Sequence, residues 1–226
     1  MTYHIITILP DVFESYLYKS IMGRAVENKL IKIKLYNPRD FVKGSKRGAF
    51  AYKAVDGRPY GGGPGMVMEA EPILKAYEKI LKSIKDQKKK KVIIFGVEGE
   101  KFTNKKAINC SKKYTDIILI CGRYDGVDAR VMKILKAEEV SIGDYVLTGG
   151  ELPAMILVDS ISRQIEGVLG KNESLEENRN ATSEIYTRPE IITYAGKKYR
   201  VPKVLLSGDH KKIEEWKTES KNKKKL

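Results

Sequence analysis

The sequence predicts an α/β layer structure with a mainly parallel sheet and helices on both faces. Apolar runs alternate along the chain with helix-patterned segments, the order of strand–helix–strand units. Two of the runs, VIIFGV (92–97) and IILIC (117–121), are apolar almost throughout, as strands covered on both faces must be. Three runs also end at glycine: at Phe95-Gly96, at Cys121-Gly122, and at Val146-Leu147 leading into Gly149-Gly150. Such strand ends are where open α/β sheets take their ligands.

Residues 3–9 read as the first strand, and Pro10-Asp11 opens a helix through about Leu17. Residues 22–30 form a second helical piece. Ile31, Ile33 and Leu35 then alternate with Lys32, Lys34 and Tyr36, the period-two pattern of a half-exposed strand. Periodicity is lost from Asn37 to Met68, a stretch with six basic and two acidic residues that ends in RPYGGGPGM (58–66). So long a loop inside a compact domain is more often functional than idle. Residues 71–84 predict an amphipathic helix with Ile73, Leu74, Tyr77, Ile80, Leu81 and Ile84 on one face, and 104–113 and 125–136 predict two more.

The apolar run around Val140–Leu147 reads as a strand that passes through the glycine pair into a helix at Glu151. Pro153 fits the first turn of that helix, where its missing N–H would have no partner anyway. Ala154, Met155, Ile156, Leu157, Val158 and Ile161 are apolar on nearly every side, so the helix should be buried. Residues 170–187 turn polar and read as a mobile linker. A strand-like piece at 199–206, a short helix at 209–220 and a frayed lysine-rich end follow. The expected division is 1–168, a linker at 169–187, and 188–226.

The chain carries 43 basic and 29 acidic residues, a net charge of +14. That excess favours a polyanionic partner, nucleic acid first, although runs such as 88–91 and 223–225 also fit a solvated surface. Cys110, Cys121, His4 and His210 lack metal-ligand spacing, so no zinc site is expected. The cysteines read as buried free thiols of a reducing cytosol. No apolar run is long enough to span a bilayer, and the N-terminal residues lack a basic leader. A cytoplasmic protein with no membrane partner is expected.

There is no GxxxxGK[ST] phosphate loop, and GGGPG (61–65) does not lead from a strand into a helix as a dinucleotide fingerprint does. No lysine approaches the Gly149-Gly150 turn. A pocket at the three strand ends therefore suits a ligand without a polyphosphate, with loop backbone groups recognising an adenine or ribose edge. Arg163 lies four residues after Asp159. Two readings stand: an intrahelical ion pair, or a guanidinium held at the helix end to face an anion or a developing oxyanion. Asp125 reads as the opening of a helix, as cap or dipole partner.

RPYGGGPGM (58–66), CGRYDGVDARV (121–131), SIGDYVLTGGELPAM (141–155), GVLG (167–170), YTRPE (186–190) and VPKVLLSGDHKKIEEW (201–216) together resemble the bacterial tRNA (guanine-37-N1)-methyltransferase family, TrmD. The resemblance runs from Met1 to about Trp216, with six motifs in the family's order. It implies a SPOUT-class fold, whose parallel sheet carries a deep trefoil knot, against the general rule that connections do not thread loops. It also implies S-adenosylmethionine as cofactor. The residues that would hold it are Ile94, Phe95, Gly96 and Val97; Gly122 and Tyr124; Ile142, Gly143, Asp144, Tyr145, Val146 and Leu147; and Gly149, Gly150 and Pro153.

The implied reaction is methyl transfer to N1 of guanine 37, 3′ of the tRNA anticodon, with Arg58, Gly63, Pro64, Gly65 and Asp125 toward the tRNA. The implied assembly is a homodimer with each active site shared between subunits, gripping the tRNA anticodon arm. Arg163 matches the arginine that stabilises charge on guanine O6. The family also depends on Mg2+, for which the sequence shows no ligand cluster.

Two departures stand out. The family's general base is an aspartate eight residues after the GVLG glycine, where this chain has Asn178, which cannot accept a proton. Glu177 substitutes through a shifted loop, or Asn178 marks an impaired or altered enzyme, or the loop aligns differently; of these Glu177 is favoured. A catalytically impaired tRNA- and cofactor-binding protein, or a SPOUT methyltransferase for another RNA nucleotide, are the alternatives in function. The chain also stops after one helix and a lysine tail, so a truncated C-terminal part, with weak and strongly salt-dependent tRNA binding, is expected.

Overall fold

The computed structural model describes residues 1–42, 53–169 and 184–222. They fall into two compact units, Met1–Leu169 and Gly170–Leu226. The first holds a five-stranded sheet of order β2-β1-β6-β5-β7, where β1 is Thr2–Ile6, β2 Lys32–Tyr36, β5 Lys90–Lys101, β6 Asp116–Ile120 and β7 Glu138–Ser141. Every pairing is parallel, as the runs of apolar residues predict.

The period of two in the central strands divides the core. Tyr3, Ile5, Ile93, Ile117, Leu119 and Cys121 face one apolar cluster, and Ile6, Val92, Ile94, Ile118 and Ile120 face another. On the first face lie α1 (Glu14–Leu17), α2 (Ser20–Glu27), α4 (Asn104–Lys113) and α6 (Glu151–Ser162); on the second lie α3 (Ala70–Leu81) and α5 (Ala129–Leu135). Each fully buried Ile or Leu stabilises by about 1.5–3 kcal/mol, so the two-sided sheet is the main source of this unit's stability. A short antiparallel pair, β3 (Asp56–Gly57) with β4 (Val67–Met68), closes the long loop.

Three expectations are corrected. β7 ends at Ser141, and 142–150 form an irregular loop rather than a strand reaching the glycine pair. Beyond Ser141 the chain leaves the sheet: Tyr145 and Val146 are 53% and 83% exposed, so the apolar letters there do not report burial. The helix expected at 125–136 begins at Ala129. Asp128, not Asp125, caps it by accepting from the Arg130 N–H at 2.9 Å, while the Asp125 N–H donates to the Met66 carbonyl. In the second unit, the strand expected at 199–206 ends at Arg200 and Lys203–Leu206 is helical (α7), because Pro202 offers no N–H to a ladder and presets the helix entry.

The second unit also holds a hairpin of β8 (Ile191–Tyr194) and β9 (Lys197–Arg200), turned at Ala195-Gly196 with φ of 49° and 74°. Positive φ at both central residues matches the twist of two-residue hairpins. α8 (His210–Asn222) follows, and the Tyr186 and Trp216 rings lie 6.5 Å apart. Most of the linker expected at 169–187 lies outside the described residues.

His4, 1% exposed on β1, joins three strands: one ring nitrogen meets Asp116 on β6 at 3.0 Å, the other the Tyr36 hydroxyl on β2 at 3.2 Å. Burial, with Lys34 nearby, lowers the proton affinity of His4 despite the Asp116 carboxylate. The ring is therefore held neutral, and the unfolded chain binds the extra proton. Stability is complete above the ordinary imidazole pKa, about 6.5, and declines as pH falls below it. His4→Gln is expected to flatten the acid-side slope of the thermal midpoint between about pH 6.5 and 5. A slope equal to that of the parent protein would contradict this account of His4.

Candidate active site

The middle of β5, which runs on past Gly96 to Lys101 instead of ending there as the sequence suggested, meets the carboxyl ends of β6 and β7 around one cavity of about 290 Å³. Its walls come from three segments: 95–97 within β5, 122–126 after β6, and 140–150 from the end of β7 onward, with Pro153 from the first turn of α6. Three separate stretches of sequence thus become one site. Of the residues the resemblance assigns to a cofactor, all but two line the cavity. Ile94 is 9% exposed and packs into the core of the second face, and the Asp144 carboxylate pairs outward with Lys101 at 2.8 Å. Gly126, Val140, Ser141 and Thr148, not singled out from the sequence, also line it.

Six of the lining residues are glycine, so backbone groups make up much of the polar surface. The loop after β7 returns to the end of β6: the Gly150 N–H donates to the Gly122 carbonyl at 2.9 Å. A side chain at Gly150 would put Cβ 2.7 Å from the Cys121 Cα and 3.0 Å from the Gly122 nitrogen, so only glycine permits this approach. Cys121 beneath it is fully buried, and burial first, then Glu151, pushes its thiol far above the usual range. It is structural rather than reactive. Burial and the neighbouring Asp56 also push the Tyr124 phenol up, which keeps it a neutral donor at the rim.

Asp125 lines the cavity on the side of the glycine-rich loop. Gly65, with φ of +96°, packs so closely that an added Cβ would lie 1.6 Å from the Asp125 carboxylate. Backbone bonds from Asp125 to Met66 and from Met68 to Gly126 fix that loop against the cavity edge. Gly63, Pro64 and Arg58 are exposed beside it. The structure therefore brings the glycine-rich loop to the cavity mouth, a neighbourhood the sequence separation does not announce.

Arg163 stands elsewhere. It follows the last residue of α6, and its N–H donates to the Asp159 carbonyl at 3.0 Å. The twelve residues of α6 span about 18 Å, and the helix ends near the start of β1, where the Ser162 hydroxyl donates to the Tyr3 hydroxyl at 2.9 Å. The cavity lies at the opposite ends of the strands. Asp159 accepts from the Tyr16 hydroxyl of α1, so its carboxylate is engaged across to another helix. Glu177 and Asn178 lie outside the described residues.

The helix expected to be wholly buried keeps one open stripe: Leu152 and Ile156 are 58% and 43% exposed. They line a hollow with Ser15, Tyr16, Met155 and Asp159. No helix among the described residues is long and apolar enough to cross a membrane.

The family model described as tRNA (guanine-1)-methyltransferase TrmD matches residues 1–226. A tRNA (guanine-N(1)-)-methyltransferase of Clostridioides difficile is 45% identical over 223 residues, 97% of this chain and 91% of the relative. The enzyme of that name from Buchnera aphidicola is 43% identical over 94% of this chain and 77% of the relative, and that of Caldicellulosiruptor saccharolyticus 43% over 96% and 83%. The chain is a member of the tRNA (guanine-1)-methyltransferase TrmD family.

Proposed function

We propose that the protein transfers a methyl group from S-adenosylmethionine to N1 of guanine 37 in tRNA. The observation that carries this reading is the cavity where the middle of β5 meets the ends of β6 and β7, in a chain matched over its whole length by this methyltransferase family. The cavity fits the cofactor in chemistry: backbone N–H and C=O groups for an adenine edge, the apolar Leu147 and Pro153 for its faces, and no lysine that would select a polyphosphate. Its size is at the low end for small-molecule sites, about 300–1,000 Å³, and its loop walls are exposed. When bound, the cofactor supplies a methyl on a positively charged sulfur, which leaves as a neutral thioether.

The protein's own groups act on the guanine. N1 of neutral guanine bears a proton and is a poor nucleophile, so a carboxylate must take that proton as the N1–methyl bond forms. Glu177 is the proposed acceptor. Charge displaced onto O6 is stabilised by the Arg163 guanidinium. Arg58, Asp125 and the 63–65 loop orient the nucleotide, and the chain's +14 charge draws the polyanion. Among the described residues no cluster of three or more His, Cys, Asp or Glu side chains could hold a metal, and no step is assigned to Mg2+.

Because Arg163 sits at the far end of α6 from the cavity, one chain cannot bring both to one guanine. We propose a homodimer in which the cavity of one protomer works with Arg163 of the other. The open Leu152–Ile156 stripe on α6 offers a self-complementary contact of the kind two-fold dimers use. The return of 142–150 beneath the end of β6, through the Gly150–Gly122 bond, supports a trefoil-knotted path in the chain.

Mass spectrometry of tRNA incubated with the protein and cofactor tests the reaction. Expected is 1-methylguanosine 3′ of the anticodon, only where guanosine stands there. Methylation at another nucleotide, or cofactor binding with transfer only after Asn178→Asp, would overturn it. Unchanged single-turnover methylation by Glu177→Gln would remove Glu177 from its role.

A further inference from the structure

Glu151 opens α6 with its side chain only 3% exposed, yet it is not among the residues lining the cavity. One carboxylate oxygen accepts from the Thr7 hydroxyl at 2.8 Å and the other from Nε of Arg123 at 2.8 Å. Thr7 follows β1, and Arg123 follows β6. Arg123 reaches on to the Thr148 carbonyl at 3.4 Å, and its Nε lies 2.4 Å from where a Cβ on Gly149 would stand. A single buried carboxylate thus joins the chain segments that leave three strands.

A buried ion pair is a poor way to add stability, since an apolar side chain of similar volume serves as well or better. What it provides is direction. The carboxylate fixes the guanidinium, and the guanidinium fixes the spacing between the 122–124 wall and the 148–150 wall.

We propose that Glu151 is a positioning residue for the cofactor: through Arg123 it holds the two facing walls of the cavity at the separation that S-adenosylmethionine requires, without touching the ligand itself. This rests on the S-adenosylmethionine reading of the cavity. Glu151→Gln keeps the shape and an acceptor oxygen but removes the charge that orients Arg123. Arg123→Lys keeps the charge but loses the planar fork that reaches carboxylate and carbonyl together.

Calorimetric titration of S-adenosylmethionine into the full-length protein and both single variants, with cofactor KM and kcat measured alongside, tests this. Failure of the parent protein to bind would overturn the cofactor reading itself. With the parent binding, each variant is expected to bind on the order of tenfold more weakly, the scale of a lost charged hydrogen bond. That loss should appear in KM, with kcat at saturating cofactor little changed. The double variant should be no weaker than the singles, because both break one connection. A purely structural pair would lower the thermal midpoint and leave affinity and KM at parent values, and that result would overturn the proposal. Should Glu151→Gln fail to fold, Arg123→Lys carries the same expectation and the same contradicting result.

Discussion

Gly150→Ala is expected to weaken S-adenosylmethionine binding by about a hundredfold while the sheet stays folded. The added methyl would lie 2.7 Å from the Cys121 Cα and 3.2 Å from its carbonyl carbon. These are backbone atoms of a fully buried residue at the end of β6, so no rotamer change relieves the overlap. The loop must lift, which breaks the 2.9 Å bond from Gly150 to Gly122 and opens the wall that would face the adenosine. Overpacking of this kind costs about 1–3 kcal/mol, and a lost backbone bond about 0.5–1.5 kcal/mol more. Titration calorimetry, with circular dichroism as a control for fold, checks it. A dissociation constant within about threefold of the parent would mean that this wall is not part of the cofactor site.

The second large effect falls on chemistry rather than on binding. Arg163→Ala should slow single-turnover methylation by about 10²–10³-fold, the usual loss when a donor to a developing oxyanion is removed. Cofactor affinity should stay at the parent value, because ten residues of helix, about 15 Å, separate Arg163 from Pro153 at the cavity wall of its own chain. Arg163→Lys should recover only part of the rate, since an ammonium lacks the planar pair of donors that meets O6. Rapid-quench measurement with saturating enzyme gives the rate, and equilibrium titration gives the affinity. A fall in affinity with an unchanged rate would reverse the assignment.

Much of the fold was legible because burial on both faces leaves a simple record. β1, β5 and β6 carry apolar residues at successive positions, and the structure uses alternate ones for the two core clusters. The helix expected at 104–113 has those bounds in the structure, where the Thr103 side chain, not singled out from the sequence, accepts from the Lys106 N–H before α4. Helix boundaries failed where two acids competed: Asp125 and Asp128 both precede α5, and only the backbone turn through Tyr124 and Gly126, with φ of 60° and 121°, decides for the second.

The candidate site divides in the same way. Glycines at strand ends point to converging walls, since their reason for being there is close approach. Val146 and Leu147 misled, because apolar residues in a loop that lines a cavity look like strand. The Glu151–Arg123 link was invisible as a pair, since the two stand 28 positions apart in the sequence. A signal was nonetheless present: an acid at the start of an otherwise apolar helix, directly after two glycines, must find a partner if the helix is buried. The distance of Arg163 from the cavity could not be read without knowing which way α6 runs along the sheet, and the proposed homodimer rests on this distance.

The most direct test of that shared site is a heterodimer with one Gly150→Ala chain and one Arg163→Ala chain, purified in tandem through two different tags. At a cofactor concentration that fills the parent site but not the hundredfold weaker Gly150→Ala site, neither parent homodimer should turn over appreciably. The heterodimer unites one intact cavity with one intact Arg163 across its two-fold interface, so it should methylate tRNA at about half the rate of the unmutated dimer. A heterodimer as inactive as its parents, or no heterodimer to purify, would contradict a site built from two chains.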